Sequence, residues 1–139
     1  IQYRLVPESP ILVAANREEF YDRRSQSPAI LSGKPRILCP TDSRAGGTWI
    51  GVNQNGMFVG INNRRMLEPI TGTQSRGMLC KEVLRTSNAR RAMERAQDLL
   101  REHVYEGFNL VVADRESAFV LHHDQVDEVR ELGAGLHIV

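Results

Sequence analysis

Apolar and polar residues alternate most regularly between residues 47 and 63, on both sides of an Asn55-Gly56 pair. An Asn-Gly pair supplies the positive-φ residues that a tight β-turn needs, and β-branched and aromatic residues flank it. The pattern predicts a β-hairpin whose first strand has Thr48, Ile50 and Val52 on one face and Trp49, Gly51 and Asn53 on the other. Four glycines in and beside the hairpin would let a ligand or another backbone approach closely: Gly46, Gly47, Gly51 and Gly60.

Helical periodicity follows in two stretches between residues 75 and 102. Ser75 is predicted to cap a first helix that ends near Arg85, with Met78, Leu79 and Val83 on its buried side. A second helix is predicted after Asn88, with apolar residues at helical spacing: Ala89, Ala92, Met93, Ala96, Leu99 and Leu100. Its outer face is rich in Arg, which favours a solvated face of ion pairs over a nucleic-acid site.

The other apolar segments predict short strands. Tyr3 to Val6 and Ile11 to Ala15 are joined by a turn with two prolines, and the uninterrupted apolar run of Ile11 to Ala15 is typical of a strand covered on both faces. Residues 22–46 predict a surface loop with brief strands at 29–31 and 36–39. A meander is predicted after the helices, at residues 108–113, 118–123 and 126–132, with a last strand at 136–139. This order predicts an α+β fold with helices packed on antiparallel sheet.

Composition adds bounds to this picture. A chain of 139 residues with 41% hydrophobic and 25% charged residues is typical of a single globular domain. No apolar run approaches the ~18 residues of a membrane span. Cys39 and Cys80 are predicted to be free thiols in a reducing compartment, which favours a cytoplasmic location. No metal-ligand spacing occurs. A strand-like start without Met, and a last strand that is cut short at Val139, predict a domain truncated at both ends.

An apolar strand candidate ends abruptly in a cluster of amide, guanidinium and carboxylate groups, Asn16-Arg17-Glu18-Glu19. Charges at the rim of a core interact more strongly than charges in bulk water, and such clusters often position groups that act on a ligand. Two interpretations stay open. The cluster either binds a ligand, or Arg17 and Glu19 form a structural ion pair that closes the strand. Since nearly all the cations of the chain are Arg, a small anionic ligand fits the first interpretation.

The same four residues resemble the signature of the NRDE family, also called the transport-and-Golgi-organisation family, with Glu18 where Asp is usual. Five further segments are similar to this family in the same order: Ala45 to Gly51, Ile61 to Arg65, Ser75 to Gly77, Gly107 to Leu110, and Gly135 to His137. The resemblance implies a fold like that of the N-terminal-nucleophile hydrolases, an αββα sandwich of which this chain supplies a part.

The resemblance also implies roles for single residues. If a Cys precedes Ile1, Arg17 would hold its thiolate or a substrate carboxylate, and Glu18 or Glu19 would orient its α-amino group. Asn63 would donate to an oxyanion. The matching segments place Asn16, Trp49, Arg65 and His137 among the ligand-binding residues, with His137 either an axial haem ligand or a core histidine. Cys39 and Cys80 are poor substitutes for the nucleophile.

Two functions therefore remain. We favour a binding or trafficking protein without chemistry, because Ile1 stands at the start of the given sequence in place of the nucleophile and a fold does not carry function without its site. The resemblance implies a link to haem handling, acyl-lipid homeostasis or secretory-pathway organisation. The alternative is an amide or acyl hydrolase of the N-terminal-nucleophile type, which acts on C–N bonds. No cofactor is required by either function, haem is a possible ligand, and neither nucleic acid nor a fixed oligomeric state is predicted.

Overall fold

A computed structural model describes residues 1–17, 19–66, 70 and 73–139 of the chain. These residues form strands and two helices in an α+β arrangement. The elements are β1 (Gln2–Val6), β2 (Ser9–Leu12), β3 (Ser25–Leu31), β4 (Ile37–Asp42), β5 (Ile50–Asn53), β6 (Phe58–Asn63), α1 (Arg76–Val83), α2 (Ala89–Glu102), β7 (Phe108–Ala113), β8 (Ala118–His123), β9 (Glu128–Glu131) and β10 (Gly135–Leu136).

The strands form two antiparallel sheets. The larger sheet has seven strands in sequence order, from β3 to β9, and the smaller has three in the order β10-β1-β2. Alternate residues of the larger sheet face opposite layers, as the period of a strand requires. On one face Phe108, Leu110 and Val112 pack against the helices, and on the other Val111 and Val120 pack against the smaller sheet. The predicted α+β class is confirmed.

The helices begin where the sequence predicts. The side chain of Ser75 caps α1, and that of Asn88 caps α2 by accepting from the Arg91 N–H at 2.9 Å. The predicted buried side of α1 is wrong at Met78, which is 40% exposed, whereas Cys80 is buried. The outer face of α2 carries ion pairs between Arg and acidic residues: Arg91 with Glu94, Arg95 with Glu102, and Arg101 with Asp98.

The predicted hairpin is confirmed as β5 and β6, with Gly56 at φ +80° in its turn. Asn53 fixes this turn from inside the protein. Its Oδ1 accepts from the N–H groups of Asn55 and Met57, and its Nδ2 donates to the carbonyl oxygens of Leu84 and Thr86, at 2.9–3.2 Å. One buried carboxamide thereby joins the hairpin turn to the end of α1.

Two strand predictions were wrong. The run Ile11 to Ala15 is not covered on both faces: β2 ends at Leu12, which is 58% exposed, because β2 is an edge strand of the smaller sheet. Residues 22–46 are not mainly loop, since β3 and β4 pair over most of this stretch. Pro28 lies within β3, which is the edge of the larger sheet, where a residue without an N–H is tolerated.

The predicted meander is confirmed as β7, β8 and β9, which pair in register. The last predicted strand is shorter than residues 136–139, because pairing with β1 is confined to Gly135 and Leu136. Neither α1 nor α2 is long and apolar enough to cross a lipid bilayer, and they are the helices of the described part of the chain.

Candidate functional site

The candidate site lies at one end of the seven-stranded sheet. Neighbouring strands run in opposite directions, so the last residues of β4 and β6 lie beside the first residues of β5 and β7. Asp42 and Asn63 therefore share this end with Trp49, which precedes β5 and accepts from the Ile61 N–H at 2.9 Å. The segment that contains Arg17 crosses to the same end on its way from β2 to β3.

Arg17 is held there by three contacts. Its Nη2 lies 3.2 Å from the Asp42 carboxylate, and its Nη1 donates to the Arg23 carbonyl oxygen at 3.2 Å. Its guanidinium carbon lies 4.5 Å from the centre of the Trp49 ring, within the range of a cation–π interaction. With 24% of its side chain exposed, Arg17 lies at a rim rather than in bulk solvent.

Asp42 is the centre of this cluster. Its Oδ1 accepts from the backbone N–H groups of Ala45 at 2.7 Å and Arg44 at 3.1 Å, and its Oδ2 pairs with both Arg17 and Arg23. Burial alone would raise the pKa of Asp42, but the Ala45 N–H and the Arg23 guanidinium outweigh that and lower it below its usual value. Asp42 is therefore a carboxylate at neutral pH.

The predicted pairing of Arg17 with Glu19 is wrong. Glu19 pairs instead with Arg23 at 2.7 Å, and Arg23 also bonds Asp42 at 2.8 Å. Arg23 therefore joins Glu19 to Asp42. Beside this network lies an open concavity of about 450 Å³. Its lining is mostly charged: Glu19, Phe20, Asp22, Arg23, Arg24, Ser43 and Arg44.

The other predicted site residues are spread over the same end of the molecule. Asn16 and Arg65 are exposed, and Glu18 lies outside the described residues. Trp49 is half-buried under Arg17. His137 lies beyond β10, where its Nε2 is 2.8 Å from the Gly133 carbonyl oxygen and its backbone N–H donates to the Ile1 carbonyl oxygen.

Asn63 and its neighbour Asn62 lie on opposite faces of β6. Val59 and Ile61 alternate with Asn62 and pack on the helix side, which places Asn63 on that side, where it is exposed. Asn62 lies on the side of the smaller sheet and bonds the Asn109 side chain at 2.8 Å. Of the two amides, Asn62 is therefore the one that faces the space between the sheets.

Two other predicted features have structural roles. Cys39 and Cys80 are buried free thiols, and burial raises the pKa of the Cys80 thiol, so that it stays protonated. The close approach predicted at Gly47 is to another backbone, because a Cβ there would lie 2.3 Å from the carbonyl carbon of Gly77 in α1. Among the described residues, no group of three or more His, Cys, Asp or Glu is arranged to hold a metal ion.

The sequence did not identify Asp42, Arg23, Arg24 or Arg44 as site residues. Asp42 is 25 positions from Arg17, and only the pairing of β3 with β4 brings them together. A lone Asp before a Ser-Arg-Ala-Gly-Gly turn gives no such signal. A weak hint did exist, since the predicted loop of residues 22–46 holds several of the arginines.

The fold is similar to that of a known class of enzyme. An arginine-to-leucine variant of conjugated bile acid hydrolase from Clostridium perfringens superposes with a TM-score of 0.55, over 85% of this chain and 45% of the other. At 13% sequence identity, this likeness shows the fold alone. The chain therefore has a fold like that of the N-terminal-nucleophile hydrolases, as the resemblance implied.

Sequence comparison gives the family. The family model for Transport and Golgi organisation 2 matches residues 1–139. The human Transport and Golgi organization protein 2 homolog is 32% identical over 113 residues, which cover 78% of this chain and 40% of that protein. The mouse homolog is 31% identical over 107 residues, which cover 75% and 38%. This chain belongs to the Transport and Golgi organisation 2 family and spans about two fifths of the length of the curated relatives it matches.

Proposed function

We propose that this chain binds a small anionic ligand with an apolar part, in a protein that carries its ligand rather than converting it. The observation that supports this most directly is the cluster of Arg17, Asp42 and Arg23, braced on Trp49 beside an open concavity. Its geometry is fixed by ion pairs, and the concavity next to it combines arginines with an exposed aromatic ring.

The arginines of the concavity differ in whether their guanidinium groups already form ion pairs within the protein. Arg23 gives its Nε to Asp42 and its Nη1 to Glu19. Arg24 and Arg44 also line the concavity, and their side chains have no ion-pair partner among the described residues. Exposed guanidinium groups of this kind suit a carboxylate or phosphate. Phe20, which is 80% exposed on the same wall, offers apolar surface to the rest of a ligand.

Between the two ligands suggested by the resemblance, these contacts favour an acyl chain with an anionic head over haem. An axial histidine needs a ring nitrogen with a free lone pair. The Nε2 of His137 is 2.8 Å from the Gly133 carbonyl oxygen, which accepts a hydrogen bond from the Nε2–H, so ligation through Nε2 would require breaking this bond. An acyl anion needs only the arginines and the aromatic wall.

The test is a titration with palmitate, followed by intrinsic fluorescence and by thermal unfolding. We expect saturable stabilisation of the wild-type protein and at least about tenfold weaker binding by Arg24→Gln/Arg44→Gln, since tenfold corresponds to ~1.4 kcal/mol, within the range of charge-assisted hydrogen bonds. The control is Arg91→Gln/Arg101→Gln, which removes the same charge from the outer face of α2. Equal weakening by the control, or no stabilisation by any acyl anion together with a Soret shift on haem addition, would contradict the proposal.

One observation favours a second function, an amide or acyl hydrolase with a Cys nucleophile before Ile1. Ile1 packs into the core between the sheets and exchanges backbone hydrogen bonds with His137. Two residues after His137, the Val139 carbonyl oxygen accepts from Asn62. A nucleophile ahead of Ile1 would therefore start near an amide donor, as the hydrolase mechanism requires.

The hydrolase is tested by the gene sequence upstream of Ile1. A Cys there, with release of amine from an N-acyl amino acid that a Cys→Ala variant abolishes, would support it. The absence of both Cys and Ser would eliminate it. We also propose a cytoplasmic location for the carrier, and a role in Golgi organisation, which the names of the relatives suggest. Imaging of the tagged full-length protein would distinguish a cytoplasmic from a Golgi location.

A further inference from the structure

The β4–β5 loop, residues 43–49, carries one wall of the concavity, since Ser43 and Arg44 line it. Two elements hold this loop from different sides. Asp42, the last residue of β4, bonds the loop through its backbone and its carboxylate, and α1 bonds the part that follows Arg44. The position of Arg44 therefore depends on α1 as well as on β4.

On the side of β4, Asp42 closes the loop. Its N–H donates to the Gly47 carbonyl oxygen and its carbonyl oxygen accepts from the Gly46 N–H, both at 2.8 Å. Its carboxylate accepts from the N–H groups of Arg44 and Ala45. The bonds from the loop residues before Gly47 all use N–H groups, so the Gly46 carbonyl oxygen is left to a partner elsewhere.

On the other side, α1 supplies that partner. The Nζ of Lys81 donates to the Gly46 carbonyl oxygen at 3.1 Å, and the Thr48 N–H donates to the Gly77 carbonyl oxygen at 3.0 Å. Gly46 has a φ of +72°, which a residue without a Cβ adopts readily. Its N–H bonds β4 while its carbonyl oxygen bonds Lys81, so Gly46 is held between the two elements, two positions after Arg44.

Lys81 acts on the loop from outside the concavity, which it does not line. It is half-buried, and no carboxylate of the described residues lies within ion-pair distance of its ammonium group. Removal of this ammonium group therefore breaks its bond to the loop and no ion pair within the described part of the chain.

We propose that Lys81 is a positioning residue, which fixes the β4–β5 loop and thereby holds Arg44 at the concavity. The inference rests on the proposed function in one respect, which is that Arg44 contacts the anionic ligand. Lys81 itself touches no ligand. It restricts the loop before binding, so that less conformational entropy is lost when the guanidinium of Arg44 meets the anion.

Proteolysis tests the loop without a ligand, because a protease cuts a folded protein where the chain opens. Lys81→Met keeps the length of the side chain but removes its hydrogen-bond donor. We expect an arginine-specific protease to cut this variant between Arg44 and Ala45 at least about threefold faster than the wild-type protein, since a hydrogen bond is lost from the closed loop. Mass spectrometry of the fragments over time measures the rate. Lys81→Arg keeps a donor and should be cut at the wild-type rate.

The matched control is Lys34→Met, at the other lysine of the chain. Lys34 is exposed in the turn between β3 and β4, at the end of the sheet opposite the concavity. This variant should be cut after Arg44 at the wild-type rate, and all three lysine variants should keep the wild-type melting temperature.

A double-mutant cycle tests whether Lys81 acts through Arg44. Titrations with palmitate should show about threefold weaker binding in Lys81→Met, both alone and in the Arg24→Gln background. In the Arg44→Gln background Lys81→Met should have no further effect, because the group that Lys81 positions is then absent. A general loss of structure, or of attraction by the charge of Lys81, would instead weaken binding in all three backgrounds.

The opposite results would overturn the inference. Equal cleavage rates in Lys81→Met and the wild-type protein would contradict it, and so would weaker binding in the Arg44→Gln background. If palmitate binds, Arg24→Gln/Arg44→Gln weakens that binding and Lys81→Met changes neither cleavage nor affinity, the proposed function stands and the role of Lys81 does not. If palmitate does not bind and Lys81→Met is still cut faster after Arg44, the proposed function fails although Lys81 fixes the loop.

Discussion

The two faces of the seven-stranded sheet differ in how far their apolar residues extend toward the end that holds the candidate site. On the helix side, apolar residues continue to the end of β7, where Phe108 is fully buried against Tyr105 and the helices. On the other side, the apolar residues stop one step earlier, at Val111, and Asn109 takes the next position. Phe108 and Asn109 are adjacent in sequence, yet Phe108 belongs to the helix-side core, whereas Asn109 is hydrogen-bonded to the side chains of Asn62 and His122.

This difference indicates which face holds the fold together and which is free for function. The two helices cover the helix side, so the apolar side chains of that face are packed against them. The smaller sheet covers less of the opposite face, and the residues at its margin are hydrogen-bonded polar groups. Substitutions on the helix side should therefore cost stability, whereas those on the other side should change binding more than stability.

The largest effect is expected for Phe108→Ala. Loss of a fully buried aromatic side chain from the helix-side core should lower the free energy of unfolding by about 3–5 kcal/mol. Urea denaturation followed by circular dichroism measures this. Val129→Ala, at a 39% exposed position on β9, is the control and should cost less than about 0.5 kcal/mol. A loss below about 1 kcal/mol in Phe108→Ala would show that the helix-side core is not the main source of stability.

The next effect is expected for Gly47→Ala, which tests how closely α1 approaches the sheet. A methyl group there would meet the backbone of Gly77 at 2.3 Å, so the helix must shift, at a cost of about 2–3 kcal/mol. Gly133→Ala is a matched control, because nothing lies within 4 Å of a Cβ at that position. The melting temperatures of the two variants give the comparison, and similar values would mean that the helix yields without cost.

A smaller loss, of about 2 kcal/mol at neutral pH, is expected for Asp42→Asn, since Arg17 and Arg23 then lose their charged partner. The pKa of Asp42 is lowered in the folded protein, so its stabilisation is present above the unfolded pKa of about 4 and is lost as the pH falls through the folded pKa. Urea denaturation of both proteins at pH 7 and near pH 3 should show the difference between them shrinking in acid. A constant difference would exclude ionisation of Asp42 as its cause.

The smallest effect is expected for Asn88→Ala, which removes the cap of α2 but no packing. Its Oδ1 accepts from the Arg91 N–H at 2.9 Å, and loss of such a cap costs about 1 kcal/mol. Asn88→Asp is the control, because it keeps the acceptor and should retain wild-type stability in thermal unfolding. A cost as large as that of Phe108→Ala would mean that α2 depends on its end more than on its buried side.

The sequence predicted those elements whose signals are local. The Asn55-Gly56 turn, the cap at Asn88 and the periodicity of α2 each depend on residues within a few positions of one another. Strand β3 was missed because Pro28 and polar residues weaken its pattern, and it is stabilised by pairing with β4 rather than by its own composition.

The site was predicted only in part, for a related reason. Arg17 was correctly placed at a rim, but its partner Asp42 belongs to β4 and depends on long-range pairing. The contacts between Asn62, Asn109 and His122 were missed because the register of β6, β7 and β8, which no short segment encodes, brings these side chains together. The roles assigned to all eight residues stay predictions: Asn16, Arg17, Glu18, Glu19, Trp49, Asn63, Arg65 and His137.

The carboxamide of Asn53 gives the sheet an asymmetry along its strands. It ties the turn between β5 and β6 to the carbonyl groups that follow α1, at the end opposite Asn62. Backbone amides near this turn should therefore exchange with solvent more slowly than those near Asn62. A ligand that binds at the end with Asn62 would then contact the more flexible half of the hairpin.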